Sequence, residues 1–448
     1  MVSLILPLAA AVTLVYLHTF GCKANQYDSE VVRQAIEAAG ATVVADPGLA
    51  DAAVVNSCTV THVSEAKMRG LLRRLARRNG AVRTVVMGCA AALDDGTIAG
   101  LPNVADVLGG ADPALVLEAL GLPSHPADPV LRSFARGARA WLKVQDGCDE
   151  HCTFCATTLA RGANRSRPPH EILEEAEGLA ASHAELVLTG VHIGTYGRDL
   201  PEGITLSTLV ERLIVHVPHV RIRLSSVEAT EVDDRLADLM INAPNRLAPH
   251  LHAPLQSGSD RLLRLMGRHW YTADSYRARM GWLAARLPRF GLGADVIVGF
   301  PGETAEDHAC TKALVESLPY TYLHVFPYSE RPDAPAQRIG RPVDPGIAAQ
   351  RSAELRDLAA KQGAMYRAAR SGGRADVVVL RRSGGRFEGL TEDYLTVYLP
   401  SDRVPPERFE GVVTLNDDGT LQVSLSASAA AAAPAAAHAG RGEGRDSI

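Results

Sequence analysis

The sequence has little cysteine, no net basic charge, and no apolar run of membrane-spanning length. Seven Cys in 448 residues fall far below the density of a small domain stapled by disulfides. The 46 Lys+Arg against 51 Asp+Glu leave a formal net charge of -5. That balance excludes a uniformly basic nucleic-acid coat but permits local patches. Residues 1–17, MVSLILPLAAAVTLVYL, are almost wholly apolar. No Lys or Arg precedes the run, Pro7 interrupts it, and it is shorter than the roughly 20 residues of a spanning helix. Residues 12–20 therefore read as a buried strand ending at Gly21-Cys22. The expectation is a cytoplasmic protein with reduced thiols and no membrane partner.

What the chain does have is apolar content, 46% of residues, too much for disorder to dominate. Its length exceeds one ordinary core of roughly 250–300 residues, so two or three domains are expected. Over 12–122, strand candidates at 12–20, 52–57 and 83–88 alternate with helical stretches at 28–39 and 64–79, the rhythm of a parallel α/β domain. Residues 123–139, with Pro123, Pro126, Pro129 and Gly137, read as a linker. Over 140–345, six strand signals (WLKVQ, AELVLTG, VRIRLSS, APHLHAPL, GADVIVGF, YLHVFPYS) at roughly 30–45 residue spacing suggest a partial (β/α) barrel. A connecting helix at 346–373 leads to 374–426, where four short β-rich runs suggest a small antiparallel barrel. The Ala-rich tail 427–448 is of low complexity and reads as disordered.

The few cysteines are not scattered. Cys148, Cys152 and Cys155 form C-x3-C-x2-C just past a strand signal. Three thiolates this close can hold three irons of a 4Fe–4S cluster and leave the fourth iron open. A zinc site would want a fourth ligand nearby, and His151 is badly placed to close the shell. Cys22, Cys58 and Cys89 each follow a predicted strand of the first domain. Carboxyl ends of parallel strands share one sheet edge, so these three can converge on a second cluster. Cys310, in the helical segment 304–318, reads as ordinary packing.

Several ordered blocks resemble the radical S-adenosylmethionine methylthiotransferases over about residues 12–426. Cys148, Cys152, Phe154 and Cys155 match the radical-SAM signature C-x3-C-x-Φ-C. ARGANRSRP (160–168), LTGVHIGTYG (188–197), RLSSVEATE (223–231), HLHAPLQSGSDRLLRLM (250–266), DVIVGFPGET (295–304) and HVFPYSERPDAPA (324–336) follow in order. The resemblance implies an N-terminal parallel α/β cluster domain, a central partial (β/α)6 radical-SAM barrel and a small C-terminal antiparallel β-barrel similar to a TRAM domain. It implies two 4Fe–4S clusters and S-adenosylmethionine, with Gly190 and Gly299 allowing close backbone approach and Ser225, Glu228 and Gln256 bonding ribose or carboxylate. The first cluster would cleave S-adenosylmethionine. A sulfur held on the Cys22/Cys58/Cys89 cluster would be methylated and passed to the substrate, with unidentified electron and sulfur donors.

LHTFGCKANQYDSE (17–30), NSCTVTHVSEAK (56–67) and QDGC (145–148) resemble the branch acting on N6-threonylcarbamoyladenosine at tRNA position 37. The alternatives are the isopentenyl-adenosine branch, the ribosomal-protein aspartate branch and, from another class, a non-catalytic zinc-stabilised RNA-binding protein. Colour separates the last, since 4Fe–4S proteins are brown and zinc proteins colourless. For tRNA contact, Lys67, Arg69, Arg73, Arg74, Arg77, Arg78 and Arg83 stand against Glu65 alone. Arg69, Arg73 and Arg77 share one helix face, suited to phosphate neutralisation. A second basic stretch is 351–386, whereas 374–426 carries six Arg against nine acids.

Overall fold

The computed structural model describes residues 13–425 apart from 61, 125–127, 136, 332–333, 342, 384–385 and 401–403. The apolar start and the tail 427–448 lie outside the described residues. Among those described, no helix is long and apolar enough to cross a membrane.

The first unit runs β1 (Leu14–Thr19), α1 (Lys23–Ala38), β2 (Thr42–Val44), β3 (Ala52–Ser57), α2 (His62–Arg78), β4 (Arg83–Gly88), β5 (Val104–Gly109) and α3 (Pro113–Leu120). The strands form one parallel sheet in the order β2-β1-β3-β4-β5. Every residue of β3 is buried. Ala53 and Val55 pack under α2, while Val54 faces α1 and α3, as a strand covered on both faces must. The sequence reading found β1, β3 and β4 but missed β2 and β5. β2 is only three residues long, and β5 is half-exposed, so neither shows a clean period.

The stretch read as a linker is not loose where it is described. Val130 and Leu131 are buried. The Leu131 N–H donates to Glu175 Oε2, which also accepts from Tyr27 Oη and Arg167 Nη2, each at 2.9 Å. One buried carboxylate thus joins the first unit, the connection and the second unit.

The second unit comprises β6 (Arg139–Lys143), β7 (Gln145–Asp146), α4 (Thr157–Arg161), β8 (Arg165–Ser166), α5 (Pro169–Ala180), β9 (Glu185–Thr189), α6 (Leu206–His216), β10 (Arg221–Leu224), α7 (Asp234–Asn242), β11 (His250–His252), α8 (Asp260–Leu265), α9 (Ala273–Ala284), β12 (Gly291–Val298), α10 (Ala305–Ser317) and β13 (Tyr322–Pro327). The six predicted strand signals are β6 and β9–β13. They form two parallel three-stranded sheets, β10-β9-β6 and β11-β12-β13. Parallel bridges Ile222↔Leu247 and Ser226↔His252 join the sheets, giving an open, partial barrel. Leu142, Leu188, Ile222, Leu251, Ala294 and Val325 pack outward under the helices. The opposite face, toward the lumen, is polar.

α11 (Pro345–Arg370) leads to β14 (Arg374–Ser383), β15 (Arg386–Thr391), β16 (Thr396–Pro400), β17 (Arg408–Leu415) and β18 (Leu421–Leu425). They close into a barrel of order β14-β15-β16-β18-β17, with one strand more than the four runs read from sequence. This barrel seats on the strand starts of the second unit. Arg221 and Arg223, both almost fully buried, pair with Glu185 and donate to the carbonyls of Leu390, Thr391 and Glu392. Tyr394, at φ 69°, stacks on His250 with ring centroids 4.2 Å apart. Asp376, Glu392 and Asp393 face Arg221, Arg289, Arg370 and Arg408. The acidic balance of 374–426 is therefore partly consumed in docking.

Candidate active site

Cys22, Cys58 and Cys89 follow β1, β3 and β4, three neighbouring strands spaced by about 4.8 Å. Gly21, at φ 106°, makes the turn after β1, and a Cβ there would sit 3.0 Å from Cys58 Sγ. Gly88, at φ 94°, turns the chain after β4, where a Cβ would strike the Asn56 side chain and the Ser57 carbonyl. Asn25 lies beneath the group. Its Oδ1 is 3.7 Å from Cys22 Sγ and 3.8 Å from Cys89 Sγ, while its amide holds the Ser57 carbonyl at 2.8 Å. The convergence inferred from three strand ends is present.

The second triad sits on the loop after β7. Thr153 anchors that loop through its N–H to the Met266 carbonyl (2.9 Å) and its Oγ1 to the Leu265 carbonyl (2.9 Å). Gln145 organises the neighbouring strand end. Its Oε1 accepts from the N–H groups of Val191 (3.0 Å) and His192 (2.8 Å). His192 Nδ1 is 3.5 Å from Cys148 Sγ, and its Nε2 is 2.9 Å from Glu231. Burial would lower the His192 pKa, but the bonds to Cys148 and Glu231 push it up to about 10.

The donors around both triads suit iron–sulfur ligation. Each triad has one backbone N–H and one guanidinium aimed at sulfur. In the first, Val60 N is 3.4 Å from Cys58 Sγ and Arg161 Nε 3.2 Å from Cys89 Sγ. In the second, Thr157 N is 3.3 Å from Cys155 Sγ and Arg268 Nη1 3.6 Å from Cys152 Sγ. Such donors tune bound clusters. As free thiols, burial pushes Cys58 up to about 11 and Cys152 up to about 12. Thiolates at these positions would need added positive charge close by.

Arg161 connects the two halves. It ends α4, six residues past Cys155, and also reaches Asp146 (2.9 Å), Asn25 (2.7 Å) and Asp28 (2.8 Å). Lys143 binds Asp28 (2.5 Å) and Asp146 (2.7 Å) beside it. A cleft of about 280 Å³ opens here, bordered by Cys89, Gly110, Lys143, Asp146 and Arg161. Sequence reasoning quoted the block holding Arg161 and assigned it no role. Arg268, His192, Asn25 and Asp28 were missed likewise.

The other expected residues have neighbours from the chain itself. A Cβ on Gly190 would lie 2.6 Å from the Gln145 carbonyl, and one on Gly299 (φ 76°) 2.9 Å from Ala348 Cβ. Both glycines are thus required by packing, whatever approaches them from the lumen. Glu228 is ion-paired with Arg268. Its second oxygen is buried without a partner among the described residues, and burial raises its pKa. Ser225 is half-buried at the end of β10. Gln256 adopts φ 60° and donates its backbone N–H to the Asp295 carbonyl at 2.8 Å. Cys310, expected as packing, is exposed on α10, because its helix position faces solvent.

On α2, Met68, Leu71, Leu72 and Leu75 are buried, so the opposite face carries exposed Arg73, Arg74 and Arg77 with half-buried Arg69. The basic run is smaller than its sequence count. Arg78 pairs with Asp46 and Arg83 with Asp106, acids brought in by the fold. Arg73, Arg74 and Arg77 have no ion pair among the described residues.

The model of the radical SAM superfamily matches residues 142–313, and that of the uncharacterized protein family UPF0004 matches residues 14–110. The threonylcarbamoyladenosine tRNA methylthiotransferase MtaB of Thermotoga maritima is 35% identical over 426 residues, covering 91% of this chain and 96% of its own. The chain belongs to the radical S-adenosylmethionine methylthiotransferases. The MtaB of Bacillus subtilis is 36% identical, over 75% of this chain and 78% of its own. A tRNA-2-methylthio-N(6)-dimethylallyladenosine synthase of Dictyoglomus thermophilum is 35% identical, over 72% and 77%. Among solved structures, the radical S-adenosylmethionine methyltransferase TsrM of Kitasatospora setae shares the fold, with a TM-score of 0.54 and 15% identity over 77% of this chain and 89% of its own. As a radical SAM methylthiotransferase, this enzyme uses S-adenosylmethionine and a 4Fe–4S cluster. Its two cysteine triads fall one in each matched region.

Proposed function

We propose that this enzyme converts N6-threonylcarbamoyladenosine at tRNA position 37 to its 2-methylthio derivative, in the cytoplasm, using two 4Fe–4S clusters. The observation that carries this reading is Arg161. It joins Cys89 of the first triad to Asp146, two residues before Cys148 of the second, so one side chain ties the two cysteine-bearing edges together. Of two relatives matching about nine-tenths of this chain, the one named for threonylcarbamoyladenosine is 35% identical and the one named for the dimethylallyl form 31%, which favours the former substrate.

Cys148, Cys152 and Cys155 would hold the cluster that binds S-adenosylmethionine, and Cys22, Cys58 and Cys89 the second. When bound, these groups supply the electron that cleaves S-adenosylmethionine and the sulfur to be transferred, chemistry no side chain can provide. The chain's own work is positioning and water exclusion. Arg161 and Arg268 neutralise ligand sulfurs, Gln145 fixes the turn Gly190-His192, and Ser225, Glu228 and Gln256 line the strand ends. Arg69, Arg73 and Arg77 would meet tRNA phosphates.

The deciding experiment is nucleoside analysis of tRNA from a strain lacking this gene. Loss of 2-methylthio-N6-threonylcarbamoyladenosine, with its unthiolated precursor accumulating, is expected. An unchanged level overturns the substrate assignment.

A further inference from the structure

The lumen of the partial barrel contains a polar cluster that the two cysteine triads do not use. On β11, β12 and β13, Leu251, Ala294 and Val325 turn outward into the core. His250, His252, Asp295, Tyr322 and His324 therefore share the inward face. Asp295 and His324 are directly paired in register. Asp295 Oδ1 lies 3.1 Å from His252 Nε2 and 3.2 Å from His324 Nδ1. Tyr322 Oη lies 3.2 Å from His252 Nδ1 and 2.9 Å from His250 Nε2.

With neutral imidazoles, one proton assignment satisfies every link. Burial would raise the Asp295 pKa, but hydrogen bonds from His252 and His324 hold it below the ordinary carboxylate range. A carboxylate accepts, so His252 Nε2–H and His324 Nδ1–H both donate. His252 Nδ1 then accepts from Tyr322 Oη–H, which in turn accepts from His250 Nε2–H. The chain ends on His324 Nε2, an acceptor with no partner among the described residues, on a side chain 55% exposed. Burial, and after it the Arg223 guanidinium, hold the His250 pKa well below its ordinary value.

We propose that His252, Asp295 and His324 form the wall that reads the N6 substituent of the target adenosine, accepting a polar threonylcarbamoyl group and rejecting an apolar prenyl chain. This rests on the function proposed above and assigns residues to its choice of substrate. A threonylcarbamoyl group carries N–H and hydroxyl donors for His324 Nε2. A prenyl chain carries none of these. Seated here it would strip water from His324 and Asp295 and return no hydrogen bond. Sites built on hydrogen bonds discriminate more strongly against an analogue lacking them than apolar pockets do against an extra group. The three ligand atoms also lie within 4.8 Å of one another, close enough for a divalent cation, but the hydrogen-bond chain accounts for each atom without one.

The test compares kcat/KM of the purified, iron-loaded full chain on tRNA bearing threonylcarbamoyladenosine and on tRNA bearing isopentenyl-adenosine. Wild type is expected to prefer the former. His324→Leu should lower the preference by about tenfold or more, mainly by raising KM for the polar substrate, and His252→Gln should move it the same way. A parallel fall on both tRNAs marks a structural role and overturns the proposal, as does an unchanged ratio. So does a stoichiometric divalent metal in wild type that is lost in His324→Leu. A wild type acting on isopentenyl-adenosine but not on threonylcarbamoyladenosine overturns the substrate assignment instead, a result visible before any variant is made.

Discussion

Arg161 Nε lies 3.2 Å from Cys89 Sγ, so the helix following one cysteine loop ends on a thiol of the other domain. The same guanidinium is ion-paired with Asp28 of the first domain and Asp146 of the second. Docking of the domains and the environment of the proposed second cluster are therefore properties of one side chain.

Arg161→Ala should lower thermal stability by about 3 kcal/mol, because it strips a charge partner from buried Asp28 and half-buried Asp146 and leaves them chiefly to Lys143. In a background lacking Cys148, Cys152 and Cys155, the same change should move the remaining cluster to a lower reduction potential. Losing a cationic donor to sulfur disfavours the more negative, reduced state. A redox titration followed by electron paramagnetic resonance checks this, and an unchanged potential contradicts the role.

The two triads should be separable by product. Cys152→Ala is expected to abolish 5′-deoxyadenosine formation. Cys58→Ala should leave S-adenosylmethionine cleavage measurable while eliminating methylthiolated tRNA. Each change should reduce bound iron by about four atoms per chain, measured by iron analysis beside product chromatography.

Charge on α2 is expected to appear in salt dependence. Arg73→Ala with Arg77→Ala should weaken tRNA binding and flatten the plot of log affinity against log salt by about two units. A slope equal to that of wild type would remove this helix from the tRNA surface.

Below the barrel, Glu185 is the carboxylate shared by Arg139, Arg221 and Arg223. Burial opposes its ionisation, yet the three guanidinium groups hold it well below the usual carboxylate range. Glu185→Gln would leave two buried arginines underpaired and should cost about 3–5 kcal/mol, read as a fall in the thermal midpoint. Loosened seating of the C-terminal barrel should accompany it as faster proteolysis there.

Asp307, in the capping box that starts α10, accepts from Thr304 N and Ser259 Oγ and pairs with Arg261. Burial would raise its pKa, but these hydrogen bonds, led by Arg261, hold it below the ordinary range. Its contribution is complete above the unfolded pKa of about 3.9 and is lost as pH falls through the lower folded value. Asp307→Ala should cost about 1–2 kcal/mol at neutral pH. Unfolding curves at falling pH should show the difference from wild type narrowing below about pH 4.

The order of elements and the two cysteine groups were legible in the chain because both are properties of spacing. Apolar runs interrupted at regular intervals mark strands and helices of a layered fold. C-x3-C-x2-C must lie on one loop, and cysteines after successive parallel strands must share a sheet edge. The short β2, the half-exposed β5 and the fifth strand of the C-terminal barrel escaped notice, since each is too short or too polar for a clear period.

Only the tertiary structure decided which charges meet. Arg161 and Asn25 are separated by 136 positions, and Arg331 and Glu65 by 266, distances that no local pattern encodes. The basic count over residues 67–83 overstated its free charge because Asp46 and Asp106 arrive from other segments. The acidic count of the last domain misled in the opposite sense, because Asp376, Glu392 and Asp393 face arginines of its neighbours. Sequence by itself determined the two cysteine groups and their scaffold, through periodicity and spacing along one dimension. Folding determined the partners of those cysteines and the polar cluster of His252, Asp295 and His324, because hydrogen bonds and ion pairs form wherever distant strands bring groups within about 3 Å.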